Sequence, residues 1–181
     1  MQIPKHYPTP SVLVHWLTAA LILAALPLGL YMSELPLSPY KLKLISYHKW
    51  IGITALLLFL PRVLVRLTRP VPPPLEGPAW QRLAASATHL LLYVLIVAVP
   101  LTGWLMSSAK GFPVVYLGIL PLPDLLPKDQ ALGDLFKTVH ETLNTGLLML
   151  IGLHVAAALK HQFIDRDGTL VRMMPILKRS N

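Results

Sequence analysis

Four long apolar runs divide the 181-residue chain, at Ser11 to Met32, Tyr47 to Leu67, Ala84 to Met106 and Phe136 to Leu159. Each holds the roughly 20 residues that an α-helix needs to cross a hydrocarbon core of about 30 Å. They predict an all-α, four-helix integral membrane bundle. The connectors are a short turn (Ser33 to Ser46), a proline-rich loop (Thr68 to Arg82, with Pro70, Pro72, Pro73, Pro74 and Pro78) and a longer loop (Ser107 to Leu135). Spans and connectors use nearly all of residues 1–181, so a single transmembrane domain is expected, without room for a soluble one. Pro27, Pro61 and Pro100 fall inside spans, which membranes tolerate when neighbouring groups satisfy the freed carbonyls, and each is expected to kink its helix near one end. Phe112 to Leu126 is apolar but short and broken by Pro113, Pro121 and Pro123, which predicts an interfacial lid. Trp16, Trp50, Trp80 and Trp104 lie near span ends, as in an aromatic belt.

Composition strengthens the membrane reading: 54% of residues are hydrophobic, 13% are charged and the mean hydropathy is +0.58. The first run is read as a retained span, because it is too long for a signal peptide, carries His15 and Trp16 near its start and lacks a small-residue cleavage site. Basic residues set the orientation. One side collects Lys5, Arg62, Arg66, Arg69, Arg82, Lys160, Arg166, Arg172, Lys178 and Arg179 against Glu76, Asp165 and Asp167, a net +7. The other has Lys41, Lys43, Lys49, Lys110, Lys128 and Lys137 against Glu34, Asp124, Asp129, Asp134 and Glu141, a net +1. Both termini are therefore expected to be cytoplasmic, in a multi-pass membrane protein. A pI near 9.9 comes from charge crowded beside apolar spans, with no basic helix interleaved with aromatics, so nucleic acid is not an expected partner. The absence of cysteine excludes disulfides, thiolate ligation, covalent haem attachment and iron-sulfur clusters.

Histidines then stand out by depth. His140 and His154 lie fourteen residues apart on the fourth run, a rise of about 21 Å that falls only about 40° short of four full turns. Both imidazoles therefore project from nearly one face, one near each membrane surface. Because the spans alternate in direction, His15 and His89 fall at the level of His154, and His48 at the level of His140. Ionisable residues in spans are costly and mark function. Neutral imidazole suits haem iron, and a bis-histidine haem favours electron transfer over oxygen binding. Zinc would lack a complete set of ligands here, and Met32, Met106 and Met149 suit packing better than ligation. Depth alone leaves His15 and His89 as rivals for His154.

Several stretches resemble the bacterial cytochrome b561 family, related to the haem b subunits of nickel-iron hydrogenases and formate dehydrogenases. They are VHWLTA around His15, YHKWIGI around His48, PRVLVRL at Pro61 to Leu67, THLLLY around His89, HETLNTGLLMLIGLHVAAALKH from His140 to His161, and DGTLVRMMP after it. The resemblance covers essentially the whole chain, and within the family it looks like the di-haem superoxide oxidases, which are superoxide:ubiquinone oxidoreductases. It implies a bacterial inner membrane and two haem b groups, a cytoplasmic one held by His15 and His154 and a periplasmic one held by His48 and His140.

Around that frame the remaining polar residues acquire candidate roles. Arg62 and Arg66, four apart on one helix face, suit haem propionates through bidentate guanidinium contacts, with lipid headgroups as the alternative for Arg66. His89 is a candidate for a quinone site, where two protons must accompany two electrons, or for a hydrogen bond to a helix backbone or a haem propionate, and His161 with Lys160 is a second quinone-site candidate. His161 and His6 also fit solvated interfacial positions. Lys41, Lys43, Lys49 and Lys110 form a positive patch at the periplasmic side that would steer a small anion such as superoxide, Lys49 foremost because it adjoins His48. The expected function is electron transfer from periplasmic superoxide through two haems to ubiquinone, with lipid as the surroundings and no obligate protein partner. The alternative is a haem b subunit passing electrons between a partner dehydrogenase or cytochrome and the quinone pool; the short loops, with no extended docking surface, favour the first. A haem-free scaffold or transporter is the third class, and a colourless protein would mark it.

Overall fold

The computed structural model describes residues 6–73 and 78–174; of the residues used above, Lys5, Pro74, Glu76, Lys178 and Arg179 lie outside them. Four helices carry the chain: α1 (Thr9–Glu34), α2 (Pro39–Thr68), α3 (Ala79–Ala109) and α4 (Gln130–Lys160). All four are long and apolar enough to cross a membrane. Each extends beyond its apolar run, and the expected turn from Ser33 to Ser46 shrinks to the few residues between Glu34 and Pro39. The cause is a helix start inside that stretch. Ser38 accepts a hydrogen bond from the Lys41 backbone N–H at 3.2 Å, and Pro39 supplies a pre-set φ in the first turn. Asp129 caps α4 in the same way, accepting from the Leu132 N–H at 2.9 Å. The α-helices run without a break through Pro27, Pro61 and Pro100.

Packing pairs α1 with α2 and α3 with α4, and α2 joins the two pairs by lying against α3. Among the described residues few apolar side chains are buried, and Leu95 and Val99 of α3 with Leu147 of α4 form a small cluster, with Ile22, Leu143 and Ile151 against them. Large apolar side chains such as Leu60, Leu83 and Met149 point outward instead. In water this distribution would fail, whereas in lipid the outer face needs no burial and helices associate through close packing. Met149, at 70% exposure, is thereby removed as a candidate ligand.

At one end of the bundle, the connector between α3 and α4 forms a two-stranded hairpin, β1 (Val115–Tyr116) and β2 (Leu120–Pro121), where the sequence predicted only a broken apolar lid. Leu117 and Gly118 at its tip have positive φ, and a Cβ on Gly118 would sit 3.6 Å from the Trp50 ring. Pins from the helices hold the segment down: Trp50 Nε1 donates to the Val115 carbonyl (2.7 Å), Trp104 Nε1 to Pro123 (3.2 Å), and Tyr116 shares a 2.9 Å hydrogen bond with Thr54. Val114, 2% exposed, plugs the underside. The tryptophans of the expected belt thus also fasten loops.

At the other end, α4 continues into a π-helical turn (His161–Asp165) and, after Arg166 in the left-handed region (φ 54°), a 3-10 turn (Leu170–Arg172). This strap folds back across the bundle. Trp16 Nε1 donates to the Met173 carbonyl at 2.8 Å, the Tyr7 N–H to Arg172 at 3.3 Å, and the Arg172 guanidinium to the Pro73 carbonyl at 2.7 Å. The beginning of α1, the end of α2 and the end of α4 therefore share one level, as alternating spans require.

Candidate haem sites at two levels

α4 presents His140 and His154 to different neighbours. Near the hairpin, His140 faces His48 of α2, with ring centroids 6.2 Å apart and planes at 88°. Near the strap, His154 faces His15 of α1, with centroids 6.3 Å apart and planes at 62°. Two imidazoles on opposite sides of one iron, with each metal–nitrogen bond about 2.0 Å, place their centroids about 6 Å apart. Both pairs meet that test. His89 lies only 5.4 Å from His154, closer than a shared iron allows, and its side is exposed on the bundle flank.

Two glycines make room for the hairpin-end pair. A Cβ on Gly29 of α1 would lie 3.1 Å from His48 Cε1, and a Cβ on Gly103 of α3 would lie 3.0 Å from His140 Cε1. Any larger residue would push these rings. The pair opens onto an apolar cleft that Leu26, Ile51, Pro100 and Leu147 help to line. His140 Nδ1 makes a 2.9 Å hydrogen bond to the Val99 carbonyl, with the Thr102 hydroxyl 3.3 Å away and itself donating to that carbonyl at 2.9 Å. Because a carbonyl can only accept, Nδ1 carries the proton and Nε2 is left with its lone pair, the tautomer that binds iron. His48 Nδ1 is buried with no partner; the Ala25 backbone lies close but outside hydrogen-bond geometry.

The strap-end pair has different company. Arg62 Nη2 lies 3.1 Å from His15 Nδ1, its guanidinium stacks 5.1 Å over the Tyr93 ring, and its Nε is buried without a partner. The guanidinium is thus inside the site, with a donor left over for an anionic group such as a propionate. Arg66 is exposed, which suits a lipid headgroup. His6, expected to be solvated, instead has Nδ1 buried without a partner.

The lysines of the positive patch are engaged locally. Lys49 Nζ donates to the Phe112 carbonyl (2.9 Å) and approaches that of Pro113 (3.4 Å), stapling the hairpin segment to the helix that carries His48. Lys41 caps the end of α1 through the Leu35 carbonyl, Lys43 sits 5.8 Å over the Tyr47 ring, and Lys110 pairs with Asp134 at 3.0 Å. At the opposite end Lys160 pairs with Asp165 at 2.6 Å, while His161 Nδ1 lies 2.6 Å from Asp167 and 3.1 Å from Asp165. Burial alone would raise the Asp167 carboxyl, but hydrogen bonds from Thr169 and His161 overcome it and hold the group below its usual range. A depressed carboxyl adds stability above its unfolded value, near 3.9, and loses it as the pH falls through the folded value. The strap should therefore loosen only in acid.

The profile of the prokaryotic cytochrome b561 family matches residues 6–175. The chain belongs to that family. It is 37% identical to "Cytochrome b561 homolog 2" of Escherichia coli (strain K12), over 94% of this chain and 92% of the relative, and 34% identical to "Cytochrome b561 homolog 1" of the same organism, over 91% and 94%. It is 30% identical to "Probable superoxide oxidase CybB" of Yersinia pestis, over 94% and 97%. This cytochrome b561 family member is a multi-pass protein of the bacterial inner membrane, an oxidoreductase that binds haem b and transfers electrons. Gly29, Gly103, Thr102 and Asp167 escaped the sequence reading. Lone glycines inside apolar helical runs were the available signal for the first two.

Proposed function

We propose that the chain carries two haem b groups, one between His48 and His140 and one between His15 and His154, and passes electrons from periplasmic superoxide to ubiquinone, with both termini cytoplasmic. The observation that carries this reading is the pair of 6.2 Å and 6.3 Å imidazole separations at opposite ends of α4. Bound there, haem supplies one-electron redox chemistry. The chain would hold it with neutral imidazoles in an apolar cleft at the hairpin end, and offers Arg62 to balance charge at the strap end. Two superoxide anions, one ubiquinone and two protons give two dioxygen molecules and one ubiquinol.

Superoxide needs attraction more than a fitted pocket. Lys41 and Lys49 are held by backbone carbonyls and Lys43 by the Tyr47 ring, which gathers ammonium groups at the hairpin end. At the strap end, exposed His89 beside His154 suits an acceptor arriving sideways from the lipid. The relative named as a probable superoxide oxidase adds support over nearly the whole length. The test is quinone reduction by purified, haem-loaded protein under a superoxide flux. Ubiquinol formation that superoxide dismutase abolishes is expected, and no ubiquinol would refute the assignment.

The second reading, a subunit serving a partner dehydrogenase or cytochrome, draws on the two Escherichia coli relatives, whose names specify no donor. A dehydrogenase that co-purifies with the chain and reduces its haem would favour it.

A further inference from the structure

The strap after α4 carries a hydrogen-bonded chain that neither haem level uses. Its centre is His161, seven residues beyond His154 and therefore about 10 Å further along nearly the same helix face. Asp167 Oδ2 lies 2.6 Å from His161 Nδ1, and its other oxygen accepts from the Thr169 N–H at 2.9 Å and the Thr169 hydroxyl at 2.6 Å. Asp165 also approaches His161, but the Lys160 ammonium already sits on it at 2.6 Å. Among the described residues, Asp167 is thus the carboxylate beside His161 that carries no lysine contact. Local backbone geometry is specialised for this contact: a π-helical turn, Arg166 in the left-handed region and Gly168 at φ 76° bring Asp167 back over the end of α4. Among the described residues, Asp165 and Lys160 lie against the pair, and Arg166 Nε turns away to the Phe163 carbonyl. The turn packs chiefly against α4 itself.

We propose that Asp167 is a positioning residue that holds the His161 imidazole with Nδ1 protonated, so that His161 Nε2 delivers protons to the quinone reduced at this end of the bundle. The inference rests on ubiquinone being the acceptor. Each ubiquinol formed takes two electrons from the chain and two protons from the aqueous side. His161 takes up a proton at Nε2 from the aqueous side, the Asp167 carboxylate, itself fixed by Thr169, stabilises the imidazolium so formed, and the Nε2 proton then passes to a quinone oxygen, leaving the neutral ring with Nδ1–H. The strap, closed over the bundle by Trp16 and Arg172, keeps the dyad in place.

The test is stopped-flow reoxidation of pre-reduced, haem-loaded protein by a soluble ubiquinone analogue or by ferricyanide, which takes electrons without protons, between about pH 5 and about pH 8. For Asp167→Asn, ubiquinone-driven reoxidation should fall about tenfold or more, part of the roughly 10²- to 10⁴-fold worth of general acid–base catalysis, with the deficit growing as the pH rises. Ferricyanide reoxidation should be unchanged, and Asp167→Glu should recover most of the rate. A ubiquinone rate for Asp167→Asn equal to wild type at every pH would overturn the proposal, as would equal slowing with both oxidants, which would mark a merely structural contact. If wild-type protein were reoxidised by ferricyanide but not by ubiquinone, the acceptor assignment would fall, and this inference with it.

Discussion

The two ends of α4 carry the same ligand type in different settings. At the hairpin end the site is tight: Gly29 and Gly103 let α1 and α3 approach the rings, His140 is fixed by a backbone carbonyl, and Lys49, next to His48, staples the hairpin segment to α2. At the strap end there is more polar company, with a third histidine on the exposed flank, an arginine against His15 and a His–Asp pair just beyond. A closed apolar site suits single electrons arriving from a small species, whereas an open site lined by proton-bearing groups suits an acceptor that takes protons as well. In the proposed function, one helix would separate electron entry from proton-coupled exit by placing two imidazoles fourteen residues apart.

The strongest way to break this comparison is to remove one ligand at a time. His140→Ala should lose the hairpin-end haem and keep the other, and His154→Ala should do the reverse, as read from haem content and the visible spectra of purified variants. Loss of both groups from either variant would mean that the levels do not form independently. Gly103→Val should act more gently but at one end only. Its Cβ would press on His140, lowering haem affinity there by roughly 10–100-fold, the scale of outer-shell changes at metal sites, while the His15–His154 level titrates as in wild type.

A smaller effect distinguishes the two roles of Lys49. As a staple, its replacement in Lys49→Ala should speed hydrogen exchange across Phe112 to Leu126 and leave a deficit in reduction by superoxide that persists at high salt. As a steering charge, its loss should matter only at low ionic strength, because a Debye length of about 10 Å at 0.1 M screens it otherwise. A deficit that vanishes with salt, with exchange unchanged, would return Lys49 to the steering role.

The histidine levels were legible because helical geometry converts spacing into depth and face, and the bilayer fixes the depth scale. Family resemblance then separated His15 from His89, whose rings lie 6.3 Å and 5.4 Å from that of His154. The hairpin was not legible, since its strands are two residues each and the fastening comes from Trp50, Thr54 and Trp104 far away in sequence. Nor were the lysine partners: a sequence gives the sign of a charge, but the carbonyls that hold Lys49 and Lys41 belong to backbone whose position depends on the fold. The early start of α2 was written in Ser38 and Pro39, whose capping chemistry was hidden by the polar residues after them.

The central claim, two bis-histidine levels on one chain, is tested most directly by the ratio of haem b to polypeptide in the purified wild-type protein, from a reduced pyridine haemochrome spectrum against a quantitative protein assay. The account predicts two haems per chain; a ratio that saturates at one would contradict it.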